Sequence, residues 1–173
     1  MDLLTNYPAF KKDILDSFES LIQEFDFKLL ELHEGCYLLK GTHCNLRFTY
    51  DRGDINCDFK HANEYQDSPG YSVEAVYKFL FPLKEATGKS GRIYDAKLQL
   101  MGLSHTIEHL KNVLNGDFSW LNDFVNRRDR ENRVFQFVLS LGYNNPIQQK
   151  LWAGDLSWQQ DIQKYLDENN IIL

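Results

Sequence analysis

The sharpest chemical motif in this sequence is a pair of histidines that bracket a glutamate, His105, Glu108 and His109. H-x-x-E-H is the spacing of the inverted zinc metallopeptidases, in which two imidazoles one helical turn apart bind the ion and a carboxylate activates water. A helix would place all three side chains on one face, opposite an apolar stripe. Those enzymes also take a third ligand from a second helix, and no such ligand is recognisable downstream. We therefore predict a solvated helix face, with a zinc-dependent hydrolase as an alternative.

A second group of possible ligands lies between positions 33 and 61. Its members are His33, Cys36, His43, Cys44, Cys57 and His61. Structural zinc sites usually contain Cys-x₂₋₄-Cys pairs, and no two cysteines here are that close. Cys44 and Cys57 fall at inward-facing strand positions, where cysteine behaves as a small apolar residue. We predict core cysteines, no bound metal and no cofactor; Cys36 beside His33 is the best candidate for a reactive thiol.

Other catalytic sequence motifs are incomplete or absent. Gly88-Lys89-Ser90 resembles the end of a phosphate-binding loop, but Leu83 stands where the first glycine of that motif belongs. Neither G-x-S-x-G nor G-x-G-x-x-G occurs in the chain. The sequence therefore predicts a protein that is not an enzyme.

The elements that would position these residues begin with an amphipathic helix. Its apolar stripe is formed by Phe10, Ile14, Phe18, Leu21, Ile22 and Phe25. Four short apolar runs follow between Phe27 and His61, separated by turns that contain glycine. Alternation of apolar and polar residues in the last two runs predicts an antiparallel meander with one covered face. On that face we expect Leu46, Phe48, Ile55, Cys57 and Phe59.

The remainder of the chain has a helical pattern. Ser72 is a possible N-cap of a short helix that ends at Phe81, and Asp95 opens a long helix that continues to Leu114. Asp117 is predicted to cap the next helix, and Ser157 with Gln160 forms a capping-box pair for the last one. The fold prediction is a single α+β domain over 1–173, with an N-terminal helix, a four-stranded antiparallel β-meander and a helical C-terminal half.

Composition limits the possible partners. The chain has 173 residues, a formal net charge of −6 and a pI near 5.3, which argues against a nucleic-acid binder. The N-terminus lacks the features of a signal peptide, and no run approaches the roughly 20 apolar residues of a membrane span. Three cysteines, an odd number, suggest reduced thiols. We therefore expect a cytoplasmic protein without nucleic-acid or membrane partners.

Two charged stretches are candidates for a binding surface. The first is acidic and consists of Asp51, Asp54, Asp58, Glu64 and Asp67. Fixed carboxylates on a hairpin and its following loop could contact the lysines and arginines of a partner. The second, between Asn126 and Arg133, has mixed signs. Its expected i,i+4 pairs, Arg127 with Glu131 and Asp129 with Arg133, favour an exposed helix.

The order of elements resembles that of the immunity proteins of bacterial polymorphic-toxin and contact-dependent growth inhibition systems. The likeness covers about the first 60 residues, including Phe48, Tyr50, Asp51, Gly53 and Phe59 in an F-x-Y-D-x-x-G-x-x-x-x-x-F texture. It implies a cytoplasmic protein that binds a cognate, cationic toxin domain and blocks it without catalysis. An intracellular adaptor or regulatory domain with another protein partner is the alternative.

Overall fold

The computed structural model describes residues 7–63, 70–82 and 95–173. An antiparallel sheet and flanking helices confirm the α+β class. The chain divides into two compact units, Met1–Ser119 and Trp120–Leu173, and each is described by itself. The prediction of one domain stays a prediction. No described helix is both long and apolar enough to cross a membrane.

The first unit contains the sheet, whose strands pair in sequence order. They are β1 (Lys28–His33), β2 (Cys36–Lys40), β3 (Cys44–Asp51), β4 (Asp54–His61) and β5 (Tyr71–Ser72). The four predicted strands are confirmed, but the predicted strand count of four is wrong. β5 adds a fifth strand that pairs with Asp58 and Phe59 of β4. Its two residues are too few to show the period-2 alternation by which strands are recognised.

Helices of the first unit are shorter than the sequence predicted. They are α1 (Phe10–Ser17), α2 (Glu19–Glu24), α3 (Val73–Leu80), α4 (Ala96–Glu108) and α5 (Lys111–Leu114). The N-terminal helix divides at Phe18, although Phe18 N still donates to Ile14 O and Phe18 O still accepts from Ile22 N. The long helix divides after Glu108, where Leu110 N donates to Ile107 O in a 3₁₀-type turn. Apolar spacing continues through both breaks, so it could not reveal them.

The covered face of the sheet is the one predicted. Leu46, Phe48, Ile55, Cys57 and Phe59 are all at most 4% exposed. The ring of Phe18 meets Phe48 edge to face at 4.9 Å between centroids. Helix α1 packs against α4, and α4 packs against β4. These contacts confirm that the N-terminal helix and a later one cover this face.

The other face is less open than the alternation suggested. Asn45 and Lys60, expected on a solvated side, are buried, and Leu38 on the same face is buried too. Asn45 Oδ1 accepts a hydrogen bond from Gly41 N at 3.2 Å, which satisfies one of its polar atoms in the β2–β3 connection. The prediction that polar side chains on this face are exposed is therefore wrong for Asn45 and Lys60.

The second unit contains three helices around a small core. They are α6 (Leu121–Ser140), α7 (Pro146–Trp152) and α8 (Trp158–Glu168), and the core consists of Val138, Ile147, Ile162 and Leu166. α7 was not predicted from the sequence. Pro146 opens α7, and Asn145 Oδ1 caps it by accepting from Ile147 N at 2.9 Å.

Three of the predicted caps do not form in the described structure. Ser72 occupies the N-cap position of α3 but makes no side-chain capping bond. Asp117 does not cap α6, since its carboxylate accepts instead from Ser119 N and Oγ. Ser157 makes no side-chain capping bond at α8. Asp155 accepts from Ser157 N at 2.9 Å, so the turn before α8 takes the hydrogen bond that the predicted capping box would have used.

Candidate functional site

His105 and Glu108 lie on the exposed surface of α4, and the exposed His109 follows at its C-terminal cap. His105 Nδ1 is 3.7 Å from Glu108 Oε2, and the rings of His105 and His109 meet edge to face at 5.1 Å. The three side chains therefore contact one another without closing a ligand set. Within residues 7–63, 70–82 and 95–173, no group of three or more His, Cys, Asp or Glu side chains is arranged to hold a metal ion.

A shallow cleft of about 390 Å³ lies beside this motif in the first unit. Its lining residues are Asp16, Ser17, Lys97, Met101, Ser104, His105 and Glu108. Ser17 Oγ is buried in the structure without a hydrogen-bond partner among the described residues, so no described base activates it. Among the described residues the cleft therefore offers the hydrolase alternative no nucleophile paired with a base.

The three cysteines are buried, which confirms their core assignment. Burial raises the pKa of the Cys44 thiol from 9.0 to about 12, and burial also raises the pKa of the Cys57 thiol. Cys36 lies on the opposite face of the sheet from both. A buried thiol with a raised pKa is a poor nucleophile and a poor metal ligand, so the six possible ligands between positions 33 and 61 do not form a site.

The acidic turn between β3 and β4 is well defined. Asp51 and Asp54 are directly opposite each other in the ladder, and both are exposed. Arg52 and Gly53 between them have φ values of 51° and 94°, the left-handed pair of a two-residue type I′ hairpin. Arg52 Nε is 3.9 Å from Asp51 Oδ1, and both side chains are largely solvated, so this contact screens the acids only weakly.

Gln99 of α4 holds this turn in place. Its Oε1 accepts from Ile55 N at 2.9 Å, and its Nε2 donates to Gly53 O at 2.9 Å. In the β3–β4 ladder Ile55 directs its N–H away from β3, and β5 is too short to reach it. The amide of Gln99 therefore replaces a missing strand partner and fixes the turn to the helix layer.

The other predicted acidic residues do not join Asp51 and Asp54 in the described structure. Asp58 lies opposite Arg47, whose Nη2 donates to Asp58 Oδ2 at 2.8 Å, with both side chains 21% exposed. This ion pair neutralises the Asp58 carboxylate. Asp58 lies four residues along β4 from Asp54, which places the two roughly 13 Å apart. Glu64 and Asp67 lie outside the described residues.

Aromatic side chains surround the same end of the sheet, and the sequence analysis did not single out Tyr7 or Tyr37 among them. Tyr7 lies 5.2 Å from Tyr50, and Phe10 lies 5.5 Å from Tyr37 and 5.8 Å from Tyr50 between ring centroids. The Tyr7 hydroxyl donates to the Asp13 carboxylate. We call the surface formed by Tyr7, Tyr37, Tyr50, Glu31, Glu34, Asp51 and Asp54 the acidic–aromatic end.

Two contacts show that this end is one continuous surface. Tyr50 N donates to Gly35 O at 2.9 Å, so the β1–β2 and β3–β4 turns lie side by side. Glu31 is paired with Tyr37 across β1 and β2, and burial, the Glu31 carboxylate and Glu34 together raise the pKa of the Tyr37 hydroxyl. A meander places alternate turns at one end, so the sequence did contain the signal that brings Glu34 next to Asp51.

The basic stretch lies on α6 in the second unit. Arg127 Nε pairs with Glu131 Oε1 at 2.9 Å, which confirms one of the two predicted i,i+4 pairs. Asp129 and Arg133, both in the described part of α6, are not within ion-pair distance, so that prediction is wrong. Exposure from 126 to 133 confirms a solvated helix segment.

Comparisons of this chain with protein-family models, with curated protein sequences and with solved structures gave no match.

Proposed function

We propose that this protein is a bacterial immunity protein that binds a cationic toxin domain in the cytoplasm and neutralises it by occlusion, without catalysis. The observation that supports the proposal is the acidic–aromatic end of the first unit. The resemblance of the first 60 residues to immunity proteins agrees with it. No catalytic group assembled among the described residues offers a competing chemistry.

Charge is the first part of the argument. Glu31, Glu34, Asp51 and Asp54 are exposed at this end of the sheet, and Arg52 is the cation within the turn itself. A surface with an excess of carboxylates attracts lysines and arginines and raises the rate at which a cationic partner arrives. Enzymes that act on nucleic acids expose such cationic surfaces, because they must bind phosphates. The partner that fits is therefore a basic domain.

The tyrosines supply the second part. Tyr7, Tyr37 and Tyr50 are half-buried, so each combines apolar area with a polar tip at the surface. Tyrosine and arginine are enriched among the residues that dominate binding energy, and arginine stacks on aromatic faces. Burial and the Asp13 carboxylate raise the pKa of the Tyr7 hydroxyl, which therefore stays neutral at every physiological pH.

Rigidity is the third part. The turn is a two-residue hairpin bonded to Gln99, and the neighbouring turn is bonded to Tyr50. A surface ordered before binding loses little conformational entropy in the complex. To occlude the toxin, the protein needs only a fixed surface of complementary charge that covers the toxin's active site or substrate surface.

The test is a titration of the Asp51→Lys/Asp54→Lys variant against the toxin domain. Reversing both charges keeps the cross-strand pair like-charged, so the fold should survive. Affinity should fall at least about a hundredfold, roughly 3 kcal/mol. The control is Asp129→Lys/Glu168→Lys, which changes net charge equally at exposed positions of α6 and α8 and should leave affinity within about threefold.

The toxin domain is to be taken from the neighbouring gene. An immunity protein requires a large secreted protein with a variable C-terminal domain encoded directly upstream, and expression of that domain should stop growth unless this chain is co-expressed. A neighbouring gene of another kind, or no rescue of growth, would refute the proposal in favour of the adaptor alternative. Rescue together with unchanged affinity of the Asp51→Lys/Asp54→Lys variant would instead remove the acidic–aromatic end as the contact.

A further inference from the structure

A groove of about 700 Å³ opens between α6 and α8 in the second unit. One wall comes from α6 and the other from α8. The lining residues are Arg127, Arg130, Glu131, Asn132, Val134, Phe135, Trp158, Gln159, Ile162 and Gln163. We call this feature the α6–α8 groove.

The floor of the groove is apolar. Ile162 belongs to the buried core of this unit, and Val134 and Trp158 pack against that core while remaining partly exposed. Phe135 stands at the wall with 39% of its surface exposed. Phe135 and Trp158 therefore present exposed apolar atoms that an apolar side chain of a partner could cover.

The rim of the groove is positive and rich in amides. Glu131 neutralises Arg127 at 2.9 Å, whereas Arg130 forms no ion pair within the described part of the chain, so one positive charge is in excess. Gln163 donates a hydrogen bond to Asp167, whereas Asn132 and Gln159 are exposed lining residues whose amides can bond polar side chains of a partner helix. The rim therefore favours a peptide that carries a carboxylate.

We propose that the α6–α8 groove is a docking site for a short amphipathic helix of a partner protein, whose apolar face is bordered by Asp or Glu. A groove with walls from two helices and an apolar floor can accept a third helix in the helix-in-groove mode, with anchors spaced three or four residues apart. The carboxylate pairs with Arg130, and the apolar anchors contact Phe135, Trp158 and Ile162. This site is separate from the acidic–aromatic end and selects the opposite charge.

The experiment selects binders of the full-length protein from a phage-displayed random library of peptides about 12 residues long. Enriched peptides should carry Asp or Glu beside Leu, Ile, Phe or Trp at helical spacing. Synthetic copies, titrated by fluorescence anisotropy, should bind the Arg130→Glu variant at least about tenfold more weakly. Arg128→Glu makes the same charge change on the same helix outside the groove, and affinity for it should remain within about twofold.

A second variant tests the apolar floor without changing charge. Phe135→Gln replaces a partly exposed ring with a polar side chain on a solvated helix, so folding should persist, and affinity should again fall at least about tenfold. Failure to enrich any peptide overturns the proposal. Enrichment of peptides without a carboxylate, or equal losses for Arg128→Glu and Arg130→Glu, also overturns it.

Discussion

Gln99 joins the acidic turn to the helix layer. Replacing it with alanine removes its hydrogen bonds to Ile55 N and Gly53 O and leaves the amide of Ile55, a buried residue, without that acceptor. An unsatisfied buried donor costs about 1–3 kcal/mol. Gln99→Ala should therefore lower the free energy of unfolding by that amount, measured by urea denaturation.

The matched control is Gln23→Ala. Gln23 is exposed, and its amide bonds Glu19 at 3.3 Å within one helix. Its loss should change the free energy of unfolding by no more than about 0.5 kcal/mol. Equal effects of the two substitutions would show that the amide of Gln99 does not stabilise the turn.

Buried thiols give a prediction about pH. A Cys44 thiol with a pKa of about 12 in the folded protein keeps its proton at pH values where the unfolded thiol, near 9.0, ionises. The free energy of unfolding should therefore fall as the pH rises above about 9, by at most about 1.4 kcal/mol per pH unit for each such thiol.

The direct measurement is thiol labelling with an aromatic disulfide reagent at pH 8. The native protein should react slowly at all three cysteines, and the denatured protein should react at once, because reactivity requires an accessible thiolate. Cys44→Ala should reduce the alkaline loss of stability. Fast labelling of the native protein would contradict the burial of these side chains.

The role of a single residue could be predicted from the sequence only where a local feature, such as the type of turn, determines it. The Arg52-Gly53 turn sets the ladder register, and counting back from it along both strands places Arg47 opposite Asp58. That count was available from the sequence and would have separated Asp58 from Asp51 and Asp54. Gln99 was not predictable in this way, since its partners lie more than forty positions away and depend on how α4 packs.

At the scale of elements, the contact of Phe48 with α1 carries the clearest test. Phe48 is fully buried in β3, and its ring packs edge to face against Phe18. Deleting a buried phenylalanine costs about 3–5 kcal/mol. Phe48→Ala should lose that much stability in urea denaturation and leave the first unit largely unfolded if its margin is small.

Leu15→Ala is the control for this prediction. Leu15 is 40% exposed on α1, so its truncation should change stability by about 0.5 kcal/mol or less. An unchanged denaturation midpoint for Phe48→Ala would contradict the assignment of the covered face.

Element prediction succeeded where a pattern was long and failed where an element was short. The alternation in β3 and β4 extends over eight residues in each strand, which is enough to fix both strand and face. β5 has only two residues, and the seven-residue α7 was missed although Asn145 before Pro146 is a local start signal. The helix breaks at Phe18 and after Glu108 were missed because the apolar spacing continues through them.

At the scale of the whole molecule, the question is how many units unfold cooperatively. Most of the buried apolar side chains among the described residues belong to the first unit, whereas the core of the second unit is centred on four. Amides of β2, β3 and β4 should therefore exchange with solvent at least about tenfold more slowly than those of α7 and α8. Native-state hydrogen exchange is the measurement.

The control for this prediction is Val138→Ala, which opens a cavity in the small core and should speed exchange within α6, α7 and α8. Uniform protection over both units would contradict the expected difference. It would favour the single domain that the sequence predicted.

The position of β1 at the edge of the sheet affects how readily the protein can aggregate. β1 is an outer strand of the sheet, and edge strands offer their backbone to other chains, which leads to aggregation. Here the β1–β2 register shifts between Glu31 and His33, and the exposed side chains along β1 include Lys28 and Glu31. An irregular and charged edge is a poor template for another strand. We therefore expect the protein to remain free of edge-to-edge aggregation at high concentration.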